Sequence, residues 1–191
     1  MHPLDGRQPR PAPLDGALDI LPLDGEALDL TTWRILTTEH FVPLDVHPLC
    51  PPEAFVGRVS RIDRGPLSVF RIEHSPAVVA RTPQLIARSE RSSAMMKVSL
   101  QIEGDGLVEQ DGRVTLLHPG DLALYDTSRP YTLRYDTATR LIVLSFAAGS
   151  LPVPREEVAL VTATPFPLPA AMPWRMRSPT SRIGAARPIP V

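Results

Sequence analysis

The strongest constraint on this chain is its punctuation. Between Phe55 and Phe146, turn-forming residues interrupt apolar stretches at intervals of about 8–12 residues, too short for packed helices and typical of a sandwich or barrel of strands. Arg64-Gly65-Pro66 separates Phe55–Asp63 from Leu67–His74, and Ala77–Arg81 follows as a shorter piece. Gly104-Asp105-Gly106 closes Met95–Glu103. Asp111-Gly112 divides Leu107–Gln110 from Arg113–Leu117 and is the strongest short hairpin signal, because both residue types tolerate the positive φ of a tight two-residue turn. Pro119-Gly120 leads into Asp121–Asp126, and Thr127-Ser128-Arg129-Pro130 separates that run from Tyr131–Asp136. Leu141–Phe146 is nearly all apolar, as for a strand covered on both faces. These eight or nine runs predict a mainly β fold, a single antiparallel β-barrel.

Outside that region the pattern changes. Leu30, Trp33, Ile35, Leu36 and Phe41 lie close to one helical face, so Leu28–Phe41 reads as a short N-terminal helix, capped by Asp29 or Thr31 and ended by Pro43. Pro83–Ser89 has room for one helical turn. The 23 prolines of the 191 residues gather towards the two ends. Pro-Leu-Asp-Gly occurs at 3–6, 13–16 and 22–25, too short a unit for a solenoid repeat. After Leu151 periodicity is lost and no acidic residue follows Glu157. The expected organisation is a low-complexity leader over 1–27, one folded domain over 28–151 and a Pro/Arg-rich tail over 152–191, with both ends too poor in buryable surface to order.

Composition excludes several classes. A net charge of -1 gives no electrostatic case for wrapping nucleic acid or lying on an anionic membrane. No stretch approaches the roughly 18 apolar residues of a membrane-spanning helix, and no signal-peptide pattern opens the chain, so the expectation is a cytoplasmic protein. Cys50 is the single cysteine, which rules out an intramolecular disulfide. Lys97 is the single lysine beside nineteen arginines, a bias that points to a GC-rich, bacterial source.

Four motifs in order carry a family resemblance: Glu103-Gly104-Asp105-Gly106, Gln110-Asp111-Gly112-Arg113, His118-Pro119-Gly120-Asp121 and Asp126-Thr127-Ser128-Arg129-Pro130-Tyr131. With Phe41-Val-Pro-Leu-Asp-Val46 as an entry segment, the chain over about 31–151 resembles the cupin-type (jelly-roll) effector-binding domain of AraC-family transcription regulators, in particular the AraC-binding-like group. The resemblance implies a domain that senses a small-molecule effector and often dimerises, as a homodimer or with related regulators. Family members carry two helix-turn-helix units after the barrel. Residues 152–191 are too few and too proline-rich for these, so direct DNA binding by this chain is not expected, and a frameshift or premature stop in a longer gene would account for such a tail.

No catalytic centre is legible. Enzymatic cupins hold a metal through a His-x-His pair, a Glu and a later His, whereas His2, His40, His47, His74 and His118 are never two apart, so neither a metal nor another cofactor is expected. Ser92, Ser93, Ser99 and Cys50 lack evident His and acid partners. Arg129 reads as a turn residue paired with Asp126 or another carboxylate rather than as an anion-binding group.

The informative strands are Met95–Glu103 and Tyr131–Asp136. Met96, Val98, Leu100 and Ile102 share one face of the first, and Lys97, Ser99, Gln101 and Glu103 the other. Antiparallel strands usually turn the polar face to water, which would place the apolar four in the core and Ser99, Gln101 and Glu103 outside. In the opposite orientation Ser99, Gln101 and Glu103 form a polar floor, with Tyr131 and Tyr135 as aromatic walls, and these five are the candidate ligand-binding residues. The leading function is thus a small-molecule-sensing or dimerisation domain of an AraC-like regulator without its DNA-binding part. The alternatives are a metal-independent cupin enzyme of epimerase or lyase type, and a purely structural dimerisation domain with a filled interior.

Overall fold

The computed structural model describes residues 26–89 and 95–167. Helix α1 (Leu30–His40) is followed by β1 (Asp45–Pro48), β2 (Gly57–Arg64), β3 (Leu67–His74), β4 (Ala77–Arg81) and the single-turn helix α2 (Pro83–Ala87). Then come β5 (Met95–Glu103), β6 (Gly106–Gln110), β7 (Arg113–Leu117), β8 (Asp121–Asp126), β9 (Tyr131–Tyr135) and β10 (Thr139–Ala147), and finally α3 (Arg155–Ala159) and β11 (Pro165–Pro167). All strand pairs are antiparallel. They form two sheets, ordered β1-β4-β9-β6-β7 and β11-β8-β5-β10-β3-β2. The hydrogen-bonded ladders do not close into one continuous barrel. The architecture is a cupin-like sandwich of two facing sheets.

Local chemistry sets the element ends. Asp29 Oδ1 accepts the Thr32 amide at 2.8 Å and caps α1, and Thr82 Oγ1 does the same for α2 through Leu85 at 3.3 Å. The β6–β7 hairpin turns on Asp111 and Gly112, with φ of 54° and 73°, both in the left-handed region that a type I′ turn requires. At one end of the sandwich a reciprocal amide clamp joins the sheets. Gln110 Nε2 donates to the Asp126 carbonyl at 2.8 Å, and Gln110 Oε1 accepts from the Asp126 amide at 2.9 Å.

Helix α1 closes the other flank. Leu30, Trp33, Leu36 and Thr37 turn inward, and Arg34 ties the helix to β1 through the Val46 carbonyl at 2.6 Å. Trp33 packs against Phe55 and His74, with ring centroids 6.0 and 5.7 Å away.

The segment 152–167 departs from the expected unstructured tail. Thr162 and Ala163 are fully buried, and β11 pairs with β8. The reason is a polar anchor invisible to periodicity. Arg113 donates to the Thr162 carbonyl at 2.7 Å and to the Ala159 carbonyl, and Thr115 Oγ1 donates to the Ala163 carbonyl at 2.7 Å. Asp111 gathers Thr162 Oγ1 at 2.8 Å and Arg129 Nη1 at 2.5 Å, so Arg129 is a paired turn arginine. The remaining leader and tail, residues 1–25 and 168–191, lie outside the described residues.

Gly57 is where α1 meets the sheet. A Cβ at this position would lie 2.3 Å from Trp33 Cε3. Replacing Gly57 by Ala forces the indole away from the core, an overpacking cost of about 1–3 kcal/mol. Urea unfolding followed by circular dichroism should show the midpoint lowered with little change in slope.

Candidate functional site

The site follows from which face of β5 points in. Lys97, Ser99 and Gln101 are buried between the sheets, while Val98, Leu100 and Ile102 occupy the opposite face. On that outer face Val98 lies between Leu144 of β10 and Leu124 of β8, and Leu100 between Ile142 and Leu122. The expectation that the apolar alternation marks the core side is therefore reversed. Only Met96 of the apolar four is fully buried. The physical reason is lateral packing: the outer apolar side chains half-bury one another across three neighbouring strands.

Between the sheets is a cavity of about 50 Å³. Its apolar wall includes Ile72, Leu133, Leu141 and Val143, and its polar lining comes from Thr37, His74, Lys97, Tyr125, Tyr131 and Tyr135. The Lys97 ammonium sits 3.9 Å from the centroid of the Phe41 ring, at the C-terminal cap of α1. Tyr125 and Tyr131 pack 4.9 Å apart, and Tyr135 meets His74 edge-on at 4.9 Å.

Two basic side chains are buried in this interior. Lys97 is 2% exposed, and among the described residues no carboxylate pairs with it. Arg81, equally buried, is held by neutral acceptors: the Pro43 carbonyl at 2.7 Å, Ser89 Oγ at 2.9 Å and the Thr127 carbonyl at 3.3 Å. Burial pushes the Lys97 pKa well down, and the Arg81 charge pushes it further. Burial raises all three tyrosines; Arg81 pulls against it at Tyr131, and Ser99 does so at Tyr135. Burial also lowers His74 to about 4, partly offset by its bond to the Ser75 carbonyl at 2.7 Å. A carbonyl only accepts, so Nδ1 carries the His74 proton.

Over residues 33–177 the chain matches the family model described as the AraC-binding-like domain. The chain belongs to that family. A curated relative from Bacillus sp. (strain OxB-1), described as an uncharacterized protein in the nit 5′ region, is 32% identical over 119 residues, covering 62% of this chain and 45% of the relative. Among solved structures, the AraC-like transcriptional activator CuxR superposes with a TM-score of 0.52 at 22% identity, over 64% of this chain and 46% of CuxR. The EutQ protein of Clostridium difficile matches with a TM-score of 0.38 at 14% identity, over 50% of this chain and 71% of that protein. The chain spans less than half the length of the Bacillus relative and of CuxR. AraC-binding-like domains are regulatory, and the CuxR likeness shows the shared fold.

Within this AraC-binding-like domain the five sequence candidates separate. Tyr131 and Tyr135 line the cavity. Ser99 is buried beside them, its hydroxyl without a hydrogen bond of good geometry. Gln101 is buried but engaged in the β5–β6 turn, where Nε2 donates to the Glu103 and Gly104 carbonyls and to Thr139 Oγ1 at 3.0, 3.1 and 2.6 Å. Glu103 lies outside the interior. Its side chain is 65% exposed, pairs with Arg140 at 3.2 Å and borders an open surface groove with Arg58 and Glu73. Of the polar floor of Ser99, Gln101 and Glu103, the first two are buried between the sheets and the third is outside, and it is their neighbour Lys97 through which β5 lines the cavity.

Sequence reasoning missed Lys97, His74, Tyr125 and Phe41. The signal for Lys97 was present: the one lysine among arginines, on the same face as Ser99 and Gln101. His118, the turn histidine, is exposed and contacts Asp105 at 3.0 Å. Among the described residues, no group of three or more His, Cys, Asp or Glu side chains is placed to hold a metal ion, and no helix is long and apolar enough to cross a membrane.

The buried His74 predicts a pH dependence. Between its folded pKa of about 4 and its unfolded value, the unfolded chain binds the proton and the folded protein does not. Stability therefore falls as pH drops from about 6.5 to about 4, by roughly 3 kcal/mol for this one group. Replacing His74 by Gln should flatten the pH dependence of the urea midpoint in that window.

Proposed function

We propose that this chain is the effector-sensing domain of an AraC-like transcription regulator. The observation that carries the reading is the polar, lysine-bearing cavity between the sheets. A domain built only to dimerise has no use for a buried lysine without a carboxylate partner, and an apolar side chain of similar volume would pack there at lower cost. A small-molecule site is expected to combine apolar walls with a few convergent polar groups, and Ile72, Leu133, Leu141 and Val143 facing Lys97 and the tyrosines have that character.

The regulatory character of the family favours a non-catalytic reading. A cupin epimerase or lyase that works without metal needs a convergent acid and base. His74, Lys97 and the three tyrosines of the lining are groups of that kind, so it is the family, and not the lining, that ranks the enzymatic reading second. In this reading the domain acts in the cytoplasm, associates with a second copy or a related regulator, and leaves DNA contact to another polypeptide segment.

Thermal-shift screening of the full chain against a broad library of neutral and charged metabolites tests the proposal. At least one small molecule should raise Tm saturably, and Leu133→Trp, which fills the cavity, should abolish that shift while leaving the circular dichroism spectrum unchanged. If no compound binds, or if binding survives the filled cavity, the sensing reading fails. Light scattering of the purified chain should report a dimer, and a strictly monomeric chain with and without ligand would remove association from the proposal.

A further inference from the structure

The interior holds two basic side chains, and among the described residues no carboxylate pairs with either. Lys97 from β5 and Arg81 from β4 are both buried, and the acceptors around Arg81 are two carbonyls and a hydroxyl. Asp126, the buried carboxylate among the described residues, lies opposite Met96 and is spent on its own turn: Oδ1 accepts from the Ser128 amide at 2.8 Å and its hydroxyl at 2.7 Å, and Oδ2 pairs with Arg129 at 3.5 Å. The Lys97 ammonium is left against the Phe41 ring, whose π face is a weak substitute for an anion.

We propose that the cavity binds a small monocarboxylate, with its oxygens on the Lys97 ammonium and the Tyr125 and Tyr131 hydroxyls and its hydrocarbon part against Ile72, Leu133, Leu141 and Val143. This rests on the sensing reading and names the chemical class of the effector. A carboxylate supplies the one partner the site lacks, and a charge-assisted bond inside a low-dielectric interior is stronger than at the surface. The cavity of about 50 Å³ has room for an acid of a few heavy atoms. A larger acid requires the Phe41 ring to move off Lys97. Neutral sugars and amines fit poorly, because neither balances the buried charge.

The groups facing Lys97 set the pH dependence. They are Arg81 from β4, Tyr125 from β8, Tyr131 and Tyr135 from β9, and His74 from β3; α1 and its cap contribute Trp33, Thr37 and Phe41, which do not ionise. Burial and Arg81 depress Lys97 in the free protein, while a bound carboxylate favours its charged form. Binding then takes up a proton wherever the pH lies above the free pKa, and affinity falls by up to about tenfold for each further pH unit.

Lys97 is the only lysine, so labelling the full chain with [13Cε]lysine yields one side-chain resonance. Acetate, propionate, isobutyrate and benzoate are titrated at constant ionic strength against chloride and against the matching primary amides. The expected result is a saturable shift of the Lys97 signal with at least one acid, accompanied by a raised Lys97 pKa, and no such shift with the amides or chloride. Lys97→Met should lower the affinity for that acid about tenfold or more, while Phe41→Ala should favour benzoate over acetate relative to the wild type. A Lys97 resonance that no acid moves, or that amides and chloride move equally, overturns the proposal even if Lys97→Met does not fold. If neutral library compounds bind while acids do not, the carboxylate assignment falls and the sensing reading stands; if nothing binds, both fall.

Discussion

Everything particular about this domain depends on the inward direction of Lys97 on β5. A strand alternates its side chains with a period of two, so placing Lys97 inside fixes Ser99 and Gln101 inside as well and puts Val98, Leu100 and Ile102 on the outer face. A one-residue slip would restore the conventional arrangement of apolar inside and polar outside. The slip is prevented on both sides. β5 lies between β10 and β8, and both neighbours present apolar residues to its outer face at matching positions, while Thr127 holds Met95, its amide donating to the Met95 carbonyl at 3.0 Å and its Oγ1 accepting from the Met95 amide at 2.9 Å. The energetic cost of a polar interior is thus offset by lateral apolar contacts outside and by a register that neighbouring strands enforce.

That interior is organised by position. Near the β5–β6 turn, Gln101 satisfies the Glu103 and Gly104 carbonyls and Thr139, so its polarity is structural. Near the opposite end, Gln110 clamps Asp126 and Arg81 gathers Pro43, Ser89 and Thr127, so three connecting segments are tied to one guanidinium. Between these braced ends lie Lys97, His74 and three tyrosines, where side-chain hydrogen bonds are sparse and the cavity opens.

Much of the frame was legible in the sequence. The hairpin at Asp111-Gly112, the cap at Asp29, the single turn after Thr82 and nearly every strand boundary follow from residues whose backbone preferences are local. Tyr131, Leu133 and Tyr135 share the inner face, as their alternation implied. The facing of β5 was not legible, because amphipathic alternation says which residues share a face and is silent on which face is covered when both are. The order of 155–167 was hidden for a different reason. It rests on Arg113, Thr115 and Asp111 meeting Ala159, Thr162 and Ala163, contacts about 45–50 residues apart that no periodicity encodes.

The small size of the cavity bears on how such a domain responds to what it holds. A roomy, rigid pocket can fill without moving its walls, but here the cation's nearest aromatic neighbour is Phe41, at the junction between α1 and β1. Two residues further on, the Pro43 carbonyl is bonded to Arg81, whose charge acts on Lys97. A change of charge or occupancy at Lys97 therefore acts first on the Phe41 ring and on the short connection behind it, and α1 is fastened to that connection's far side through Arg34 and Val46. Closely packed interiors respond to such a change by discrete rearrangement rather than by gradual yielding. The buried lysine and the helix end beside it are thus joined by one short run of contacts, through Phe41, Pro43 and Arg81.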